Sequence, residues 1–186
     1  TSRIGNYLGI SGMSLAIITT MLLPEIHNIK LIILAIAIGG LAGYFIAKKV
    51  QMTAMPQLVA GFHSLVGLAA VFIAASAFLQ PESFDIIKNG AIKTASLIEI
   101  ALGVAIGAIT FTGSIVAFMK LNGNMKSQIT IFKNPKLAAK ILGILAIILI
   151  ILFITSGSKT LFLALTLFSF VIGFVLIAPV GGADMP

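Results

Sequence analysis

Three kinds of side chain in this sequence could carry or hand on a proton: one histidine, a group of hydroxyls and one carboxylate. His63 lies about seven residues into a long apolar segment, where an ionisable group is costly and requires an explanation. Histidine side chains titrate near neutral pH, and their two ring nitrogens can accept and release a proton on opposite sides. His63 is therefore either a proton relay or a buried histidine that bonds a neighbouring helix, and the residues alone leave both interpretations open.

Partners for His63 are predicted in a second apolar segment, which contains Thr110, Thr112 and Ser114. Because this segment runs back across the membrane, the three hydroxyls should reach about the depth of His63 and could hold a water molecule beside the imidazole. Hydroxyls in helices also bond their own backbone, so that alternative stays open. Glu99 lies just inside the other end of the same segment, either as a proton entry group or as a carboxylate that reaches the interface.

A turn motif closes the sequence, from Gly181 and Gly182 through Asp184 to Pro186. Paired glycines permit backbone shapes that other residues resist. Asp184 suits the N-cap of a helix, and Pro186 suits its first turn. The motif predicts a tight turn that starts a further helix, although capping alone would account for Asp184. Since the first residue is not Met, we expect the sequence to be a piece of a longer protein.

Several other kinds of site are excluded by what the sequence contains. There is no cysteine, and His27, the other of the two histidines, falls in a loop on the opposite side of the membrane from the end nearest His63, so no metal-ligand spacing exists. No glycine-rich phosphate loop and no nucleophile–base pair are present, which predicts no catalytic residue and no bound cofactor in this sequence. The net charge of +7 comes without interleaved aromatic residues, so we expect no nucleic-acid partner.

The elements that must position these residues are membrane-spanning helices. Apolar residues make up 59% of the sequence and charged residues 9%, with a mean hydropathy of +1.17, whereas soluble proteins carry about 25% charged residues. A span needs about 20 apolar residues, and its backbone must be helical to satisfy its own hydrogen bonds. The sequence therefore predicts an all-α, polytopic bundle of about six helices. The predicted spans are Gly5–Leu23, Leu31–Ala47, Gln57–Leu79, Leu97–Met119, Ala138–Thr155 and Thr160–Ala178.

The basic residues predict the orientation of these spans, because cytosolic loops are enriched in Lys and Arg. Eight basic residues fall on the side of the N-terminus and four on the other, which places the N-terminus in the cytosol. The eight are Arg3, Lys48, Lys49, Lys120, Lys126, Lys133, Lys136 and Lys140. Two glycine pairs, Gly39 with Gly43 and Gly103 with Gly107, have the spacing that lets helix backbones approach closely.

Five segments, taken in order, resemble the membrane domain of the β subunit of proton-translocating NAD(P) transhydrogenases. Lys120–Leu137 and the last two spans are similar only in hydrophobic character. The segments that carry the resemblance are Thr1–Asn6, Ala47–Pro56, His63–Val71, Gly107–Ser114 and Gly181–Pro186.

The resemblance implies that His63 is the central proton-relay histidine, that Ser114 lines its path and that Glu99 stands near the outer entrance. It implies that Asp184 couples the membrane domain to an NADP(H)-binding domain. In the family pattern one further helix precedes Thr1, and two further helices and that domain follow Pro186. NAD(H) and NADP(H) would then bind soluble domains of a homodimeric enzyme, in a bacterial plasma membrane or a mitochondrial inner membrane, and the sequence favours the bacterial one.

Two alternatives stay open at this point. The first is a non-enzymatic channel or secondary transporter that uses His63 for proton coupling. The second is a purely structural membrane subunit in which His63 is buried and hydrogen-bonded. A transporter should show related halves with interrupted helices, and the sequence contains no convincing pair.

Overall fold

Long helices account for nearly all of the structure, as predicted. The computed structural model describes residues 2–22, 28–88, 90–126, 129 and 134–182. Each of its six long helices is apolar and long enough to cross a membrane. They are α1 (Ser2–Met21), α2 (Ile29–Lys49), α3 (Met55–Leu79), α4 (Thr94–Leu121), α5 (Pro135–Ser156) and α6 (Lys159–Ile177). The predicted all-α, polytopic fold is therefore confirmed.

The chain divides into two compact units, of which the first comprises residues 1–49 and contains α1 and α2. Neither helix buries a side chain within the described residues. Among the described residues nothing lies within 4 Å of a Cβ atom built on Gly39 or Gly43, so the predicted close approach of helix backbones at this pair stays a prediction. The unit ends with the Lys48 ammonium lying 4.8 Å from the centre of the Tyr44 ring.

The second unit, residues 50–186, contains α3 to α6 and the core of the protein. Its central helix is α4, which packs against α3 on one face and α6 on another and also touches α5. Ala101, Val104 and Ala108 of α4 have no exposed surface, and these small side chains allow the neighbouring helices to come close.

An aromatic cluster holds one end of this unit together. Phe78 near the end of α3 stacks on Phe162 at the start of α6, with ring centres 4.8 Å apart. Phe153 of α5 meets Phe78 edge-on at 5.2 Å and is completely buried. Such aromatic pairs are worth about 0.5–1.5 kcal/mol beyond the area they bury. Three helices are thus joined at the end that the basic residues predict to face outward.

The helix ends follow local sequence signals. Pro56 occupies the first turn of α3, a position that suits proline because its missing N–H is not needed there. Asn134 caps α5 by accepting a hydrogen bond from the Leu137 backbone N–H, and Gly157 ends that helix in a left-handed conformation.

Between α3 and α4 the chain forms a short antiparallel hairpin that pairs Ile87 with Ile92. The hairpin was not predicted, because its strands of two residues each are too short to show an alternating pattern.

Candidate functional site

His63 and Ser114 line one cavity of about 370 Å³, which we call the inner cavity. It lies between the first half of α3, the second half of α4 and the end of α6, on the side predicted to be cytosolic. Water occupies about 30 Å³ per molecule in the liquid, so several water molecules fit beside the imidazole. The lining residues are Pro56, Val59, Ala60, His63, Ser114, Ala117, Leu121, Ile177 and Val180.

Helix geometry places His63 on this wall. It lies about 12 Å beyond the start of α3 at 1.5 Å per residue, and it shares a helix face with Pro56, Val59 and Ala60. Its side chain is exposed, whereas the next residue, Ser64, is buried and donates a hydrogen bond to the Gly61 carbonyl at 2.7 Å. His63 thus faces the inner cavity and makes no hydrogen bond among the described residues, and its role as a relay stays a prediction.

Ser114 is half-buried and faces the same cavity from α4. In the part of the chain that the structure describes, its hydroxyl makes no hydrogen bond to its own helix, unlike Thr112 or Thr166. The Ser114 hydroxyl is therefore available to a water molecule in the cavity. The two side chains lie at about the same depth, as expected, and their role in proton transfer stays a prediction.

Glu99 lines a second cavity of about 320 Å³, which we call the outer cavity. Glu99 and Ser114 are about 22 Å apart along the α4 axis at 1.5 Å per residue, so the two cavities lie at different depths. Phe84 and Ile86, from the connection between α3 and α4, form part of the wall of the outer cavity. The remaining lining residues are Ala70, Ile73, Ala74, Ala77, Ser96, Ile100 and Gly103.

A backbone contact between α3 and α4 separates the two cavities. Gly67 and Gly107 are both buried, and a Cβ atom on Gly67 would lie 2.8 Å from the Gly107 carbonyl oxygen and 2.6 Å from the Phe111 backbone nitrogen. Only hydrogen atoms fit in this space, so the helices touch here. The predicted close approach at Gly107 is confirmed, and along the helix pair this contact lies between the inner and outer cavities.

Thr110 and Thr112 have different surroundings. Thr110 is half-buried on the face of α4 that carries Gly103 and Ser114, at the level between the two cavities. Thr112 points to the opposite side, where its hydroxyl donates to the Phe170 carbonyl of α6 at 2.8 Å and to the Ala108 carbonyl at 3.1 Å. The structure thus brings His63 and Ser114 together and turns Thr112 towards α6.

The end of α6 forms the last wall of the inner cavity and leads into the turn motif. Gly181 is buried and Gly182 is half-buried. The Ala178 carbonyl accepts a hydrogen bond from the Ile129 backbone N–H at 3.0 Å. Asp184 lies outside the described residues, so its predicted role stays a prediction.

Lys120 is the polar residue in this region that sequence analysis misplaced. It was predicted to be a loop lysine, but it lies inside α4 with only 6% of its surface exposed. Its ammonium group donates to the Ile177, Ala178 and Val180 carbonyls at 3.0, 2.5 and 2.6 Å. The signal was its spacing, because Lys120 continues the buried stripe of Gly113 and Val116.

The arrangement can accept and release protons, and it has no feature of a metal centre. Among the described residues there is no cluster of three or more His, Asp or Glu side chains. The imidazole of His63 can exchange a proton with water in the inner cavity, and Glu99 can do the same in the outer one. The two sets of groups are separated by the contact between Gly67 and Gly107.

Comparison with known proteins gives the family. The family model described as NAD(P) transhydrogenase beta subunit matches residues 1–186. Two curated proteins named NAD(P) transhydrogenase subunit beta, from Rhodospirillum rubrum and from a named strain of it, are each 50% identical over the whole of this chain. The chain spans 40% of the length of each of these relatives.

Proposed function

Because the chain belongs to the NAD(P) transhydrogenase β-subunit family, we propose that it carries protons across the membrane for a complete transhydrogenase. Hydride would pass between NADH and NADP⁺ on soluble domains, and this chain would supply the membrane part of the coupled reaction. Six helices that can cross a membrane fit this role. We place the chain in a bacterial plasma membrane.

One observation carries the proposal: two cavities lie at different depths along the α3–α4 pair, and each is lined by a group that can bind a proton. His63 and Ser114 line the inner cavity, and Glu99 lines the outer one. A continuous pore would let protons leak without hydride transfer. The closed contact between Gly67 and Gly107 fits alternating access, in which only one side is connected to the imidazole at a time.

In the proposed cycle, water in one cavity delivers a proton to the His63 imidazole, and the ring later releases it to the other side. The Ser114 hydroxyl accepts from or donates to the water that stands between the imidazole and the inner mouth. Thr110 lies at the level between the cavities and would help the proton pass the glycine contact. Thr112 has no part in the proposed path, because its hydroxyl is bonded to the α6 backbone.

Coupling to the nucleotides would run through the end of α6. Gly181 and Gly182 follow the wall of the inner cavity formed by Ile177 and Val180, and Asp184 comes two residues later. We place the NADP(H)-binding domain in the part of the complete protein beyond this chain, with NAD(H) on another subunit. The partners would be the other transhydrogenase subunits and membrane helices, and the complete enzyme would be a homodimer.

The alternatives have less support. A non-enzymatic channel or secondary transporter could also use a histidine such as His63, but the family to which this chain belongs is that of a transhydrogenase subunit. A purely structural role would need a hydrogen-bond partner for the His63 imidazole, and none is present among the described residues.

Replacing His63 by Ala in the complete enzyme, reconstituted in vesicles, tests the proposal. A positioned proton-transfer group contributes about 10²–10⁴-fold in rate, so proton uptake driven by hydride transfer should fall at least ~100-fold. His27→Ala, the matching change at the other histidine, should leave uptake unchanged. Undiminished proton uptake with normal turnover in His63→Ala would remove the relay role.

A further inference from the structure

Lys120 is a buried cation in a membrane helix, and the proposed proton path does not use it. A lysine ammonium taken out of water loses its hydration and is tolerated only when other polar groups replace the water. Ionisable residues in such positions are rare and face the interior of the helix bundle. The burial of Lys120 therefore has to be explained by the polar groups that its ammonium group contacts.

The three N–H donors of the ammonium match three acceptors at the end of α6. The carbonyls of Ile177, Ala178 and Val180 all accept from the Lys120 Nζ atom, at 3.0, 2.5 and 2.6 Å. The last carbonyls of a helix have no partner within the helix and carry partial negative charge. Lys120 thus adds a charge of the favourable sign at this end of α6, where the Ile177 carbonyl also accepts from the Val180 backbone N–H and the Ala178 carbonyl from that of Ile129.

The position of this contact links the proton site to the turn motif. Two of the acceptors, Ile177 and Val180, also line the inner cavity, and so does Leu121, the residue after the lysine. Gly181 follows Val180 directly. A shift of the α6 end therefore changes the cavity wall, the three hydrogen bonds and the start of the turn motif together.

We propose that Lys120 is a positioning residue that transmits the nucleotide-dependent state of the turn motif to the wall of the inner cavity. This inference rests on the proposed function. The hydrogen-bonded end of α6 is one state of a two-state element, and in the second state the carbonyls shift relative to Lys120 Nζ. The proton on His63 and the nucleotide on the soluble domain bias the same element, which is the requirement for a coupled switch.

The test compares three variants in the complete enzyme reconstituted in vesicles, with protons moved per hydride transferred as the readout. Lys120→Met keeps the length of the side chain and removes all three donors, so the ratio should fall at least fivefold while hydride transfer continues. Lys120→Arg retains charge and donors and should restore at least half of the ratio. Lys140→Met, at an exposed lysine on the same predicted side, should leave the ratio unchanged.

An unchanged ratio in Lys120→Met overturns the proposal, whether the hydride rate is normal or falls in parallel with proton uptake. The parallel loss is what a merely structural lysine would give. The outcome is separate from that of His63: if His63→Ala pumps normally while Lys120→Met uncouples, the relay assignment fails and the positioning role stands.

A second measurement does not depend on removing the lysine. The chain contains no cysteine, so Val180→Cys introduces one thiol into it at the α6 end with little change in volume. The rate of labelling of this thiol by a maleimide should change at least threefold when NADP(H) is added to the enzyme. An equal rate with and without nucleotide would show that the α6 end does not move, and would overturn the proposal even if Lys120→Met fails to assemble.

Discussion

Two serines, fifty positions apart in the sequence, illustrate how a hydroxyl in a membrane helix acquires a role. Ser64 is buried and bonded to the Gly61 carbonyl of its own helix, the usual arrangement for such residues. Ser114 is half-buried on a cavity wall with its hydroxyl unengaged among the described residues. The two residues have the same chemistry but different surroundings, which makes them a matched pair.

Ser114→Ala should lower hydride-driven proton uptake in the complete enzyme by about fivefold, since one hydrogen bond in the path is worth about 1 kcal/mol and ~1.4 kcal/mol is a factor of ten. Ser64→Ala should change uptake less than twofold. Initial rates of uptake in vesicles, normalised to the amount of reconstituted enzyme, measure both. Equal effects of the two changes would contradict the role of Ser114.

At these positions the sequence was informative only where a residue type is rare in its surroundings. His63 and Ser114 were predicted because an imidazole and a hydroxyl are conspicuous in an apolar segment, and opposite helix directions bring them to one depth. Lys120 was missed because a lysine at the end of a span usually reaches water. Which neighbour it faces depends on the rotation of α4 against α6, and a single sequence does not contain that information.

The α3–α4 pair is the element on which the separation of the two cavities depends. Gly67 and Gly107 form its narrowest contact, and a Cβ atom on Gly107 would lie 2.8 Å from the Gly67 carbonyl oxygen and 3.0 Å from the Ala70 Cβ atom. Gly143 of α5, by contrast, has no neighbour within 4 Å among the described residues. These glycines predict opposite effects of one added methyl group.

Gly107→Ala should force the two backbones apart and destabilise the unit by about 1–3 kcal/mol, as overpacking does. Gly143→Ala should be neutral or stabilising by up to ~1 kcal/mol, because alanine favours a helix. The temperature at which half of the detergent-solubilised enzyme stays soluble reports both effects. A lower midpoint for Gly143→Ala than for Gly107→Ala would contradict the close contact.

At the level of elements, the six spans could be predicted within a few residues because a membrane helix must be long and apolar. Their packing was less accessible. The glycine spacing predicted a close approach at both pairs; Gly107 makes one, whereas no described residue lies within 4 Å of a Cβ atom built on Gly39 or Gly43. The spacing of glycines shows that another helix can approach closely, but it does not identify which helix packs there.

For the whole molecule, the predicted orientation can be tested at two loops of the second unit. Ser83 and Asn124 are exposed and follow α3 and α4 respectively, so they must lie on opposite sides of the membrane if both helices cross it. In intact cells, a membrane-impermeant maleimide should label Ser83→Cys and should leave Asn124→Cys unlabelled until the membrane is opened. Labelling of Asn124→Cys alone would invert the orientation, and labelling of both would contradict the crossing of α4.

The rings of Phe78, Phe153 and Phe162 bear on how α6 could move in the proposed second state. They hold α6 at its first turn, the Thr112 hydroxyl holds it near its middle through the Phe170 carbonyl, and Lys120 holds its far end. A tilt of α6 about its aromatic end would also strain the contact from Thr112. Over ~22 Å from Phe162 to Ile177, a tilt of about 3° would displace the far end by about 1 Å. That displacement would be enough to break a hydrogen bond, so a small tilt would change the bonding beside the proposed proton site.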